Sequence, residues 1–393
     1  MGRRRAQKNA DLSVQDFITP TFSPQKVETG ILGLDALLDG GLPYGSVVVL
    51  GGKEDIGKTN LALSIVANVV KQGYHALYID VENRLLYNQS RFTYKRLTEE
   101  ELKRIEIFPG ENAVETVAAH IRARLTTSTN PIKVVVIDSL ASLHTRSFRL
   151  LRAEMQQGGV GMGAVARAIT DELKDLLTYY AHTKQVLFVI TTQLRTSLGG
   201  GPHMEMYGAR YIRHAAATII RLSPISKPTI NFDDPIPPAV TVGGIERPTF
   251  QYLNISLEKC QLSPWGVRAG VIARMFLISA PKYGIFLGDY DNIFQLILYG
   301  RRRPYAFIER RGDTYKVIPT GTTFTLREAY TNEELRKRII EECKPHLYQL
   351  FKTVFEDAFT QKLESDIIQE ESEEDVPLVD TSSEEEEMEQ EGL

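Results

Sequence analysis

Gly52-Lys53-Glu54-Asp55-Ile56-Gly57-Lys58-Thr59 is the stretch on which the fold turns. Its spacing is that of a phosphate loop, with a glycine at each end of four free positions and then Lys-Thr. The glycines let successive backbone N–H groups turn inward around anionic oxygens. The helix that follows aims the positive end of its dipole at the same point. In such a loop Lys58 reaches the outer phosphates of ATP, and the Thr59 hydroxyl binds Mg²⁺. Lys53, Glu54, Asp55, Ile56 and Asn60 complete the candidate ATP cradle. The flanks agree. Residues 46–51 are short, β-branched and apolar, as a strand buried on both faces should be. Residues 59–72 space their apolar side chains helically and stop at Gly73.

Moving outward, residues 75–80, 133–138 and 185–191 repeat the buried-strand pattern. Between them lie helical stretches at 112–124 and 160–182 and a capping box, Thr98-Glu99-Glu100-Glu101, that opens a short helix. Strands alternating with helices predict an α/β fold, a mostly parallel sheet with helices on both faces. Asp138 ends one of these strands. A carboxylate there reaches the crevice where ligands bind, and beside a phosphate loop it orients Mg²⁺. Taken alone, it reads equally well as a turn cap. Glu82, two residues past Asp80, fits the group that orients or deprotonates an attacking water. Its plainer reading is a solvated loop glutamate. Gln193 ends a further strand, where an amide can sense a γ-phosphate while the loop after it moves.

After residue 218 the pattern changes. Residues 218–222, 250–258 and 271–278 are strand-like with no helix between them, and are expected to extend the sheet as antiparallel strands. Residues 227–248 are rich in Pro and Gly and read as a loop. A smaller α/β unit then holds a hairpin at 305–318, turning near Arg311-Gly312-Asp313, and a helix opening at Thr331-Asn332-Glu333-Glu334. Tyr305, Phe307 and Tyr315 read as hairpin core rather than base-stacking groups. The expected organisation is an N-terminal arm at 1–28, which only the family resemblance carried by the motifs makes a candidate polymerisation element; an ATPase core at 29–282; a small basic C-terminal domain at 283–363; and a disordered acidic tail at 364–393.

The net charge of -4 conceals an asymmetry: residues 364–393 carry 14 Asp and Glu and no Lys or Arg, so residues 1–363 have a net charge of +10. A basic body suits a polyanion partner, and a soluble enzyme with a solubilising tail is the alternative. The two distant cysteines, Cys260 and Cys343, make neither a disulfide framework nor a zinc site. With no secretory h-region and no apolar run of roughly 18 residues, the expectation is a cytoplasmic protein without membrane association; a bacterial or phage-infected cell and the nucleoid are implied only by the family resemblance that the motifs carry.

The ordered set of motifs resembles the RecA/RadA recombinase family, phage (UvsX-like) members included. Glu28-Thr29-Gly30-Ile31-Leu32-Gly33-Leu34-Asp35 and Gly40-Gly41-Leu42-Pro43-Tyr44-Gly45 are similar to the segment before the family's phosphate loop. Tyr78-Ile79-Asp80-Val81-Glu82 is similar to the stretch whose glutamate is the catalytic carboxylate. Val136-Ile137-Asp138-Ser139 is similar to the Walker B strand. Ile190-Thr191-Thr192-Gln193-Leu194-Arg195 is similar to the stretch whose glutamine couples ATP to DNA. The likeness is strong over 28–280 and weak over 283–345.

What the resemblance implies goes further. DNA is expected on two loops: one at 144–161, with Arg146, Arg149, Arg152 and Gly159, and one at 196–213, with Gly199, Gly200, Gly201, Met204, Met206, Tyr207 and Arg210, preceded by Arg195. Arginines there suit phosphate contacts, and Met and Tyr suit wedging and stacking on bases. Lys259, His214 and Arg213 are implied contacts to a neighbouring subunit's ATP. Gln261 stands where bacterial members carry a second lysine, and Leu86 where they carry an adenine-contacting aspartate, leaving Tyr87 as the candidate to stack on the base. The basic residues after 283, from Arg301 to Arg338, are similar to a domain that gathers duplex DNA. The implied function is a DNA-dependent ATPase and recombinase. It forms helical filaments of itself on single-stranded DNA, pairs them with double-stranded DNA, and meets single-strand-binding and mediator proteins. A ring ATPase or helicase of the same fold, or a recombinase paralogue acting as mediator, are the alternatives.

The tail supplies a first prediction. Its carboxylates compete with phosphates for the basic body, and salt screens that contest. Removing residues 364–393 should therefore raise duplex DNA affinity, most at low salt, in binding isotherms across a salt series. An affinity unchanged at every salt would leave the tail a solubility element.

Overall fold

The structure is a computed structural model that describes residues 25–85, 96–146, 162–196, 204–206, 210–228, 234–261, 269–280 and 284–374. The chain divides into two compact units, Met1–Tyr348 and Gln349–Leu393.

A two-stranded pairing of β1 (Lys26–Val27) with β2 (Leu42–Pro43) encloses the short helix α1 (Leu32–Leu37). The main sheet follows. Its parallel strands are β3 (Val47–Gly52), β4 (His75–Asp80), β5 (Ile105–Pro109), β6 (Ile132–Asp138) and β7 (Leu187–Thr196). β8 (Met204–Met206) pairs antiparallel with the end of β7. β9 (Thr218–Pro224) lies parallel to β3. After the hairpin β10 (Ala239–Val242) and β11 (Ile245–Pro248), β12 (Phe250–Cys260) and β13 (Gly270–Phe276) add antiparallel strands. The order is β13–β12–β9–β3–β7–β6–β4–β5.

Val47, Val49, Leu77, Ile79, Val135, Ile137, Phe188 and Ile190 share one buried cluster with side chains of α4 (Val114–Thr127) and α5 (Met162–Asp175). α5 runs on through a π-helical turn, Leu176–Tyr180, to Lys184. The intervening residues, such as Val48, Leu50, Val134 and Val189, are equally buried, and α2 (Lys58–Lys71) packs on β3, β4, β6 and β7. Alternation with both faces buried explains why these strands read as unbroken apolar runs. The capping box at Thr98 is formed, opening α3 (Glu99–Leu102). This is the expected mixed α/β architecture with helices flanking a mostly parallel sheet.

Four details correct the expectation. β9 is parallel, not antiparallel, because α6 (Arg210–Ala215) lies between β7 and β9 and lets the chain cross over. The expected loop at 227–248 contains the β10–β11 hairpin, turned by Gly243 and Gly244 at φ of 61° and 80°, which a two-residue turn requires. The described end of the arm is already ordered into β1, with Val27 fully buried. Beyond α7 (Asn292–Gly300), the expected hairpin forms from β14 (Ile308–Arg311) and β15 (Thr314–Val317), with β16 (Thr323–Thr325) as a third strand. Within it Phe307 and Tyr315 are buried as expected, while Tyr305 is exposed.

The division between units does not fall at the expected 282/283. It lies within α9 (Glu333–Glu374), which follows α8 (Leu326–Thr331) and carries helical structure eleven residues into the acidic segment. α7 is hydrogen-bonded to α1: Leu32 N donates to Asn292 Oδ1 and Gly33 N to Gln295 Oε1. Arg274 of β13 strengthens the same junction. It is fully buried, pairs with Asp234 and Asp291, and donates to the Tyr330 hydroxyl at 2.9 Å. Its guanidinium lies 4.3 Å from the Phe250 ring centroid. Asp291 also caps α7 by accepting from Phe294 N. No helix among the described residues is long and apolar enough to cross a membrane.

Removing one partner of a buried ion network leaves the others uncompensated. Arg274→Met should therefore lower stability by about 3–5 kcal/mol in denaturant unfolding. Adding Asp234→Asn and Asp291→Asn should recover part of it. A midpoint unmoved by Arg274→Met would mean that the network contributes no cohesion.

Candidate functional site

The parallel strands are in register: β3, β4 and β6 end at one level of the sheet, while β7 runs on to Thr196. Gly52 of β3 lies opposite Gln193 of β7, Ile137 of β6 opposite Ile190, and Asp80 of β4 opposite Asp138. The chain leaves β3 as the phosphate loop, whose last residue, Gly57, has φ of 105° and starts α2. A side chain at Gly52 would meet Ile56 Cγ2 at 2.7 Å and the Leu222 carbonyl oxygen at 2.9 Å, so the loop closes only around glycine. One polar cleft takes in Lys58, Thr59, Glu82, Asp138, Ser139 and Gln193.

Asp138 is the hub. It is buried and accepts from the hydroxyls of Thr59 at 2.8 Å, Tyr78 at 2.6 Å and Thr191 at 2.5 Å. A carboxylate has about four acceptor sites, so three hydroxyls leave room for little more than one further contact. A hydroxyl and a carboxylate at this distance form an all-oxygen donor set of the kind Mg²⁺ takes, so Thr59 and Asp138 fit the expected metal role. Lys58 Nζ donates to the carbonyls of Gly52 at 3.0 Å and Lys53 at 2.6 Å. Burial pushes its ammonium below the usual lysine range, against the pull of the Asp138 and Glu82 carboxylates.

Glu82 stands beside this hub. Its Oε1 accepts from Ser139 at 2.5 Å and Ser142 at 2.9 Å, and its Oε2 pairs with Arg84 Nε at 2.6 Å. The turn that carries both is pinned from below. Asp80 is buried and accepts from the backbone N–H groups of Arg84 at 3.1 Å and Leu85 at 2.8 Å. The cleft can therefore hold an anion at Lys58 and the helix N-terminus, a cation at Thr59 and Asp138, and a polarised water near Glu82.

The residues singled out from sequence fall in several places. Glu54, Asp55, Asn60 and Gln193 line the cleft, and Lys53 and Ile56 lie on the loop without lining it. Lys259, Arg213 and His214 come together: Lys259 Nζ donates to the Arg213 carbonyl at 2.9 Å and the His214 carbonyl at 3.0 Å, capping α6. Arg146 is turned toward α4, where its backbone N–H meets Glu115 and its guanidinium donates to Thr116 Oγ1 at 2.7 Å. Tyr87, Arg149, Arg152, Gly159, Gly199, Gly200, Gly201 and Tyr207 lie outside the described residues. Arg195 on β7 lies opposite Glu205, Thr196 opposite Met204 and Leu194 opposite Met206, so the second expected loop, 196–213, is not all loop: β8 lies within it and Arg210 opens α6. Tyr78, Thr191, Ser139, Ser142 and Arg84 escaped the sequence reading. Tyr78 carried a signal, because a phenol in a buried strand needs a partner for its hydroxyl.

Residues 18–211 match the family model described as RecA N-terminal domain, a span that contains Lys58, Glu82, Asp138 and Gln193 but not Lys259. The chain is 32% identical over 199 residues to Protein RecA of Marinobacter nauticus, covering 50% of this chain and 52% of that one. It is 33% identical over 194 residues to the mitochondrial DNA repair protein recA homolog of Dictyostelium discoideum, covering 48% and 40%. With Protein RecA of Chlamydia trachomatis it shares 33% identity over 174 residues, covering 44% and 46%. The matched segments thus span about half of these relatives' own length or less.

Proposed function

Because residues 18–211 belong to the RecA/RadA-type recombinase family, we propose that this protein is a DNA-dependent ATPase that assembles as a filament on single-stranded DNA and pairs it with homologous duplex. The observation that carries the reading is the meeting of Lys58, Thr59, Asp138, Glu82 and Gln193 in one cleft at the ends of neighbouring strands. Lys58 leaves the loop carbonyls for the β- and γ-phosphates, exchanging dipoles for a full opposite charge. Mg²⁺, when bound at Thr59 and Asp138, supplies charge neutralisation on the phosphate oxygens. Glu82 orients the attacking water and accepts its proton. Gln193 does not end its strand: it lies in β7 three residues before Thr196, on the segment that leads toward the second loop, where γ-phosphate contact passes to DNA.

Filament formation and DNA contact rest on the resemblance and on two local observations. The end of β7 and β8 form a paired stem on either side of 197–203, a base on which a DNA-binding loop can be held. Lys259, Arg213 and His214 form one group on β12 and α6, the surface proposed to meet a neighbour's nucleotide.

Lys58→Ala should lose both nucleotide binding and turnover, because phosphate charge goes uncompensated. Glu82→Gln should bind ATP yet hydrolyse it at least about a hundred-fold more slowly in saturating single-stranded DNA, the lower end of what general-base catalysis contributes. Equilibrium nucleotide binding and steady-state phosphate release read the two effects. Near-normal hydrolysis by Glu82→Gln would remove it from the base role.

A further inference from the structure

Arg84 extends from the same pinned turn as Glu82, and its guanidinium spans the gap to the phosphate loop. Besides the 2.6 Å contact of Nε with Glu82, its terminal nitrogens lie 3.1 Å from Glu54 Oε1 and 3.6 Å from Asp55 Oδ1. It lines the cleft that holds Lys58 and Thr59, and it is close enough to Lys58 to oppose that ammonium's charge. Two cations therefore converge on one small polar space, and the Glu54, Asp55, Glu82 and Asp138 carboxylates that also line it hold them there until another anion competes.

The partners on the loop are weak ones. The Glu54 and Asp55 side chains are 64% and 87% exposed, and ion pairs in such water-exposed settings are worth little. A triphosphate offers several charges in a drier space, and the planar guanidinium fork matches phosphate oxygens in pairs. We propose that Arg84 is a phosphate-binding residue of the nucleotide site, parked on Glu54 and Asp55 until the phosphates of the bound nucleotide displace them. The backbone bonds to Asp80 fix the turn, so only the side chain has to move. This inference rests on the reading of the cleft as an ATP site.

Competition for one guanidinium makes a prediction that simple structural support does not. Binding of a slowly hydrolysed ATP analogue with Mg²⁺, measured by calorimetry without DNA, should weaken about ten-fold or more in Arg84→Gln, as expected for loss of a charge-assisted contact, and recover partly in Arg84→Lys. Glu54→Gln with Asp55→Asn should tighten binding about three-fold or more, because the parking partners are gone. That gain should vanish when Arg84→Gln is added. A gain of equal size in both backgrounds would show only the general removal of negative charge and would overturn the proposal, as would wild-type affinity in Arg84→Gln. Failure of the unaltered protein to bind the analogue would instead overturn the ATP-site reading, and this inference with it.

Discussion

Asp138 accepts hydroxyl hydrogen bonds from Thr59, Tyr78 and Thr191, and through them one buried carboxylate joins α2 to the strands on either side of β6. The arrangement exists only because β4, β6 and β7 run parallel in register, which brings the ends of β4 and β6 beside Thr191 within β7. A carboxylate taken from water is costly unless its acceptor sites are filled. Here they are filled by groups that also fix the first turn of α2 and hence the position of Lys58. The site's geometry and the sheet's register are one constraint seen from two sides.

The same economy of contacts explains the posture of the other groups. Lys58 leans on two loop carbonyls, partners that hold a cation without matching its charge. Glu82 is held by two serine hydroxyls on one oxygen and by Arg84 on the other. Each contact keeps a charged group oriented, and those made by the Lys58 ammonium and the Arg84 guanidinium are ones a phosphate can replace. Orientation in advance lowers the reorganisation needed when charge enters a low-dielectric cleft.

Much of this was legible in the chain itself. The phosphate loop is a local pattern, and buried parallel strands announce themselves as β-branched apolar runs, so the sheet and the places of Lys58, Thr59, Asp138, Glu82 and Gln193 could be read from sequence. What could not be read depends on distant pairings. Tyr78 and Thr191 find Asp138 across 60 and 53 residues. The direction of β9 depends on a crossover whose helix, α6, is only six residues long. Arg274 looks like any charged residue in a strand, yet it is fully buried among Asp234, Asp291 and Tyr330 and fastens the region after 283 to the core. Arg84 carries no signal in the sequence, because an arginine in a turn is ordinarily solvated; beyond Glu82 on its own turn, its partners come with the approach of the phosphate loop.

The proposed role of the nucleotide site is in a polymer on DNA. Negative-stain electron microscopy of the full chain with single-stranded DNA, Mg²⁺ and a slowly hydrolysed ATP analogue is the direct test. Continuous helical filaments that need both DNA and nucleotide are expected. Closed rings, or particles of single-subunit size under the same conditions, would contradict it.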